Sequence, residues 1–359
     1  MPRPLGAIAF EISNSANRKK MKSKLIIILF LINPIFSYSQ DNNIKPYKVL
    51  KGHKHKVQSA FFSPNGKYII SHGWDNTIKI WDVKTFSELR TLKGHTDQVW
   101  SATVSSDNKL IASGSMDRTF IIWDLETGEK LKQVKISPYY AATKGTIPEL
   151  DGEIQNSIYS VAFSPDGKKL ALASADKLVR IWDIEQSVFL DTLDGQHPTN
   201  WMWTCYSPDG KYIISGSSRS SHEEGVKVIW ETETYKEIGR IVMSGDMLFT
   251  ENNELGIYTG NNSMDYYNLS NSKLISNKTF PDYNGYFTMS PDKKFIVSCN
   301  EDSYIILRNI KTQKVVWTYK NEKMEIHSAN FSPDGKYLIA GTPESEILVW
   351  KMESLIGEQ

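Results

Sequence analysis

Between residues 99 and 134 four short apolar-rich runs, Val99 to Val104, Leu110 to Gly114, Thr119 to Trp123 and Lys130 to Val134, alternate with turn residues. Runs of this length, bounded by Ser, Asp, Asn and Gly, predict strands joined as hairpins. The first intervening turn recurs six times: Ser63-Pro64-Asn65-Gly66, Ser105-Ser106-Asp107-Asn108, Ser164 to Gly167, Ser207 to Gly210, Ser290 to Lys293 and Ser332 to Gly335. Proline presets φ at the second position, Asp or Asn bonds locally, and Gly accepts a positive φ at the fourth. Successive copies stand 42, 59, 43, 83 and 42 residues apart. The step of 83 covers two repeats with a degenerate copy between, and the step of 59 holds a 17-residue insertion, so the span is six steps of 42 and the chain carries seven repeats. Seven four-stranded units arranged radially, each face buried against a neighbour, predict an all-β, seven-bladed β-propeller of four-stranded antiparallel blades. Blade 5, about Met247 to Ile275, shows almost none of the pattern and is required by spacing and symmetry alone.

Three repeats end their third strand in Trp-Asp (Trp81-Asp82, Trp123-Asp124, Trp182-Asp183), and Gly52-His53 and Gly94-His95 stand 28 residues before two of those tryptophans. These residues resemble the WD-repeat family over residues 44–352. The resemblance implies a propeller closed by an N-terminal strand, Ile44 to Leu50, pairing beside Trp350 in the C-terminal blade. It also implies buried tetrads of His53, Ser71, Asp75 and Trp81 in blade 1 and His95, Ser113, Asp117 and Trp123 in blade 2. Blade 3 departs with Ile154 and Leu172 at the histidine and serine positions, beside Asp176 and Trp182. Blade 4 keeps His197, Ser215 and Trp230 and lacks the aspartate. Blade 6 has Phe280, Ser298, Asp302 and Arg308, and blade 7 has Glu322, Ala340, Glu344 and Trp350. Trp317 falls outside the tetrad register and is expected to matter less than Trp123.

At 359 residues the chain is long enough for two domains, yet one propeller uses nearly all of it. The formal net charge is +1; six basic groups and one acid in residues 1–39 leave the remainder at −4, which excludes the basic footprint of a nucleic-acid binder. From Met21, which reads as the better start, Lys22 and Lys24 precede an apolar core from Leu25 to Ile32, and Ser37-Tyr38-Ser39 forms a small-residue cleavage pattern. We therefore expect residues 1–39 to be an upstream extension plus signal peptide cleaved before Gln40, an exported chain (periplasmic or secreted), and residues 353–359 to be a tail. The apolar run is shorter than the roughly 20 residues of a stable membrane span. Cys205 and Cys299 fall in blades 4 and 6, too far apart to bridge, and are expected to be buried free thiols.

No cofactor motif, nucleophile elbow or metal-ligand spacing stands out, so neither a cofactor, a metal nor catalysis is expected. His53, His95 and His197 belong to tetrads; His72 occupies a position usually held by glycine; His55, His222 and Glu223 fall in loops, and His327 on the first strand of blade 7. Departures from minimal repeat length carry more signal. The insertion lies within Ser137 to Asn156 and the lengthened turn within Ser218 to Gly225, and the resemblance implies that both open on one face over blades 2–4. Tyr139 and Tyr140, stiffened by Pro138 and Pro148, are candidate anchors there. Trp100, Tyr159 and Met202 share one first-strand position beside them, with Trp74 and Met116 just before the turn aspartates. Trp201 and Trp203 are expected to pack between blades. The reading is a non-catalytic scaffold holding a protein or peptide on this rim. The alternatives are a hydrolase-like propeller enzyme and a carbohydrate-binding propeller, both using the channel mouth.

Overall fold

A computed structural model describes residues 44–136, 156–217, 225–243, 247–250, 253–258, 263–279, 287–299, 303–321, 326 and 328–357, all within one compact unit, Asn42–Gln359. The predicted signal segment lies outside them. Among the described residues 28 strands form seven four-stranded antiparallel sheets. Blade 2 comprises Val99–Val104, Leu110–Ser115, Thr119–Asp124 and Lys130–Lys135, within a residue of the predicted limits. Blade 5 is present as Met247–Phe249, Leu255–Tyr258, Ser263–Tyr267 and Leu274–Thr279. Leu255, Ile257 and Met264 are fully buried in it, so apolar packing replaces the polar chain it lacks.

The seventh sheet runs Lys48–Lys51, Glu346–Lys351, Tyr337–Gly341, Ser328–Phe331. Its N-terminal strand lies antiparallel to the last one, Lys48 opposite Val349 and Lys51 opposite Glu346, with Leu50 buried. Trp350 has no serine hydroxyl to meet, because Ala340 stands there, and its Nε1–H donates instead to the Ile44 carbonyl at 3.1 Å. Blade 1 completes the junction: the Val57 N–H donates to the Thr342 carbonyl at 3.0 Å. Beyond the last strand a short helix, Met352–Ile356, buries Met352 and Leu355 against the blade 7 core, so part of the expected tail is packed structure.

The recurring turns behave as their residues require. Ser63 Oγ donates to Asn65 Oδ1 at 2.7 Å and accepts the Tyr68 N–H at 3.0 Å, and Gly66 has a φ of +67°. The serine-to-aspartate bond repeats at Ser164, Ser207, Ser290 and Ser332. Because each second strand ends where its first begins, these turns open on one face of the ring, and the loops entering the first strands open on the other. Neighbouring first strands are stitched by side chains: Ser101 Oγ accepts the Val161 N–H at 3.1 Å, Ser160 Oγ accepts the Thr204 N–H at 3.2 Å, and Asn330 Nδ2 donates to the Ala60 carbonyl at 2.8 Å.

The two predicted tetrads are complete. Trp81 Nε1–H donates to Ser71 Oγ at 2.9 Å, Ser71 Oγ lies 2.8 Å from His53 Nε2, and His53 Nδ1 lies 2.9 Å from Asp75; Trp123, Ser113, His95 and Asp117 repeat these distances. An indole can only donate, so the hydroxyl passes its proton toward Nε2 and Nδ1–H donates to the carboxylate. Burial alone would raise the Asp117 carboxyl; the hydrogen bond and charge of His95, with the Thr119 hydroxyl and Thr96 N–H, outweigh it and bring it down to about 2.

Elsewhere the chain is broken where the sequence departs from the pattern. In blade 3 Trp182 Nε1 has no partner, and Asp176 is held by Arg180 and Ser174. In blade 4 His197 and Trp230 both reach Ser215, at 2.8 and 2.9 Å, while His197 Nδ1 has no partner. In blade 6 Arg308 donates to the Gln313 carbonyl at 2.6 Å. Ile154, Phe280, Asp302, Glu322 and His327 lie outside the described residues. Cys299 is buried, and burial pushes its thiol up to about 12. Cys205, expected to be buried, is only half-buried by surface area.

Two buried imidazoles make stability pH-dependent. Burial pushes His72 down to about 4, and burial together with the Arg240 charge brings His197 to about 4. In the unfolded chain they titrate near about 6.5, so below that value the unfolded state binds more protons. Their contribution is complete above pH 6.5 and is lost as pH falls toward 4, by roughly 3 kcal/mol for each. The urea midpoint is expected to fall across this window. His72→Ala, the residue blade 3 carries at the same register as Ala173, is expected to remove about half of the slope; an unchanged slope would mean that His72 does not titrate there.

Candidate functional site

In blades 1 to 3 the first strand carries one extra residue near its start. Gln58 falls between the pairs Val57–Gly73 and Ser59–His72, Trp100 between Val99–Ser115 and Ser101–Gly114, and Tyr159 between Ile158–Ser174 and Ser160–Ala173. A bulged residue has no ladder partner and its side chain is re-aimed. Blade 4 has no bulge: Met202 pairs with Ser217 and Trp203 with Gly216. Met202 therefore occupies the register of Val99 and Ile158, is 2% exposed, and joins the buried cluster with Ala173 and Val228. The expectation that Met202 shares the position of Trp100 and Tyr159 is corrected by that missing residue.

The same shift separates the two tryptophans expected to pack together. Trp203 does pack, over Gly216, where an added Cβ would collide with the indole. Trp201 stands just before the strand and is 50% exposed. It stacks on Tyr159 with centroids 4.9 Å apart and meets Trp100 at 5.2 Å, while Trp100 lies 5.4 Å from Tyr159 and 6.4 Å from Trp74. The row continues outward: His55 stacks on Trp74 at 5.8 Å and Lys56 Nζ sits 4.7 Å over its ring. Trp74 Nε1–H donates to Gln58 Oε1 at 3.1 Å, and burial pushes the Tyr159 hydroxyl up.

Of the predicted site residues, Trp74, Trp100 and Tyr159 thus stand together. Met116, partly exposed on the same face, accepts the Ser157 hydroxyl at its carbonyl at 3.3 Å. Tyr139 and Tyr140 lie outside the described residues, as do His222 and Glu223. Trp201, His55 and Lys56 belong to the row without having been singled out for it.

The first strands of six blades surround an axial cavity of about 400 Å³, and Trp100, Tyr159 and Trp201 form part of its wall. Among the described residues no group of three or more His, Cys, Asp or Glu side chains could hold a metal ion, and no helix is long and apolar enough to cross a membrane. The arrangement offers stacking surfaces and hydrogen-bonding groups.

The family profile described as WD domain, G-beta repeat matches residues 44–82, 86–124, 145–183, 187–221 and 313–351, more than half of the chain. The chain belongs to the WD-repeat family. The matches at 44–82, 86–124 and 313–351 each begin at the outer strand of one blade and end with the third strand of the next, so a WD repeat ties two blades together. The stretch between 222 and 312, which the profile does not match, contains blade 5. Among curated WD-repeat relatives, the small ribosomal subunit protein RACK1y of Oryza sativa subsp. japonica is 30% identical over 98% of this chain and 93% of its own. The serine-threonine kinase receptor-associated protein of Gallus gallus is 22% identical over 54% of this chain and 55% of its own. The apoptotic protease-activating factor 1 of Mus musculus is 21% identical over 82% of this chain and 23% of its own. The chain thus spans about half the length of the second of these and about a quarter of the third.

Proposed function

We propose that this WD-repeat protein is a non-catalytic scaffold that holds a protein or peptide partner on the rim over blades 2–4. The observation that carries the reading is the aromatic row Trp74, Trp100, Tyr159 and Trp201, half-buried to exposed, on the face where the long connections of blades 2 to 4 open. Rigid rings on a rigid sheet supply contact area at small entropic cost, which is how interface anchors work. The relatives' names support it: one is a ribosomal subunit component and another is receptor-associated, both proteins of assemblies. The basic head, short apolar core and Ser37-Tyr38-Ser39 pattern support export of the scaffold.

The test is affinity capture from the native exported fraction with the mature chain, beside a variant with Tyr139, Tyr140, Trp100 and Trp201 changed to alanine. A protein enriched by the parent and lost by the folded variant is the expected result. If neither retains a protein, the scaffold reading is overturned. Intact mass of the exported protein is expected to begin at Gln40, and a mass including any earlier residue overturns the cleavage.

A further inference from the structure

Charge differs between the two faces of the ring. On the face of the recurring turns lysines pair with the aspartate of their own turn: Lys109 with Asp107, Lys211 with Asp209, Lys294 with Asp292 and Lys336 with Asp334. On the face of the aromatic row the turn carboxylates of blades 1 and 2 are engaged inside the fold. Asp75 accepts from His53, the Lys54 N–H and Thr77, and Asp117 from His95, the Thr96 N–H and Thr119. Among the described residues of the loops entering these two blades, Asp97 is then the exposed acid, against exposed Lys54, His55 and Lys93 and the Lys56 ammonium over Trp74. Residues 40–359 carry −4 in total, so this cluster runs against the sign of the molecule.

Lys54 and Lys93 share one recess of about 420 Å³ between blades 1 and 2, with Lys79 and Thr91 in its wall. Lys79 is already satisfied, since its ammonium donates to the Glu88 carboxylate at 2.9 and 3.0 Å and to Thr91 at 2.6 Å. Neither Lys54 Nζ nor Lys93 Nζ has an ion-pair partner among the described residues. The fold does not require them. Blades 2 and 4 carry Thr96 and Pro198 where Lys54 stands, and blades 3 and 4 carry Asp194 and Val242 where Lys93 stands. Two like charges on one recess repel each other, and an anion between them turns that repulsion into attraction. The aromatic row starts from the same loop, where His55 stacks on Trp74, and ends on half-exposed Trp201. The steps from Trp74 to Trp100 and on to Trp201, 6.4 and 5.2 Å, are spanned by roughly four residues of extended chain.

We propose that the partner held on the rim is an acidic peptide segment, its carboxylates meeting Lys54 and Lys93 and an apolar residue a few positions away covering the open part of Trp201. The proposal rests on the rim scaffold and names the chemistry of its partner. Fluorescence anisotropy of labelled peptides with the full chain tests it. The probe is a run of Asp and Glu followed by Gly, Phe, Pro and Leu; one comparator carries Asn and Gln in place of the acids, another carries Lys, and an oligothymidylate supplies anionic charge without a peptide. The acidic probe is expected to bind with a micromolar Kd at about 50 mM salt and about tenfold more weakly at about 300 mM, with the amide comparator at least about tenfold weaker at low salt. Lys54→Glu combined with Lys93→Glu is expected to weaken the acidic probe at least about tenfold and to leave the amide comparator unchanged. Both side chains are exposed, so the melting temperature is expected to stay at the parent value. The same reversal at Lys211 and Lys336, on the opposite face, is expected to change the affinity less than about twofold, which separates contact at the recess from overall charge. The proposal is overturned if the acidic probe does not bind, if the amide comparator, the lysine comparator or the oligothymidylate binds as tightly, or if reversal at Lys54 and Lys93 does no more than reversal at Lys211 and Lys336. A captured protein whose rim-bound segment is neutral or basic would keep the scaffold and overturn the acidic segment, so the two readings fail separately.

Discussion

A chain beginning at Gly52 is expected to melt at least about 10 °C below the full propeller, because it lacks the strand that closes the ring. Removing Lys48–Lys51 exposes the whole outer edge of Glu346–Lys351 and uncovers the cluster in which Leu50 packs with Ile347 and Val349. It also strips Trp350 Nε1 of the Ile44 carbonyl. A buried leucine is worth roughly 2 to 5 kcal/mol and each net hydrogen bond about 1 kcal/mol, so the loss is several kcal/mol out of a typical 5 to 15. The bared edge is also a template for pairing between chains, so the truncated protein is expected to aggregate on heating. Differential scanning calorimetry measures the shift, and a synthetic peptide of residues 44–52 is expected to restore part of it in trans. A truncated protein that melts like the parent would show that the velcro between Lys48–Lys51 and the last blade contributes nothing.

Trp123→Ala is expected to cost about 3 to 5 kcal/mol, combining a large cavity with the loss of an indole N–H that anchors a buried chain. Trp123 is 2% exposed and packs among Ile111, Ile121 and Leu125, and its removal leaves Ser113, which passes its own proton on to His95, without a donor. Phenylalanine substitutions separate the two contributions. Trp123→Phe keeps most of the ring and loses the bond, for about 1 to 3 kcal/mol; Trp182→Phe, where Nε1 has no partner, is expected to cost less than about 1.5 kcal/mol. Equal losses in chemical denaturation would mean that the tetrad adds nothing to packing. Trp317, expected from the sequence to matter less, is itself 2% exposed and meets Trp350 at 5.2 Å, again with an unpartnered Nε1. Its removal carries the full packing cost and lacks only the polar one.

Much of the fold was legible because its signals are local. A serine, an acid or amide two residues on, and a residue that accepts positive φ build the same turn wherever they occur, and their spacing counts the blades. The two complete tetrads were legible through the WD-repeat resemblance, which carries over residue by residue where all four residue types are present together. Blade 5 was legible only as a gap of the right length, since buried strand residues such as Leu255 and Ile257 depend on neighbours that no local pattern names. The site was read in part. Trp74, Trp100 and Tyr159 were placed from the repeat frame; Met202 lines the cavity with Trp100 and Tyr159 but in a different strand register, and Trp201 had been assigned to packing.

The seven-fold repeat and its hairpin grammar were determined by the sequence alone, because turn geometry belongs to individual residues, and the residues of the polar chains followed from the resemblance those residues carry. Which aromatic faces the channel was decided only by the tertiary structure. A single bulged residue in blades 1 to 3, absent from blade 4, changes the pairing register, and a shift of one residue along a strand exchanges the buried and open faces. That choice is made by the fit of each strand against its neighbours: Met202 fills the core and Trp203 covers Gly216, which leaves Trp201 at the mouth.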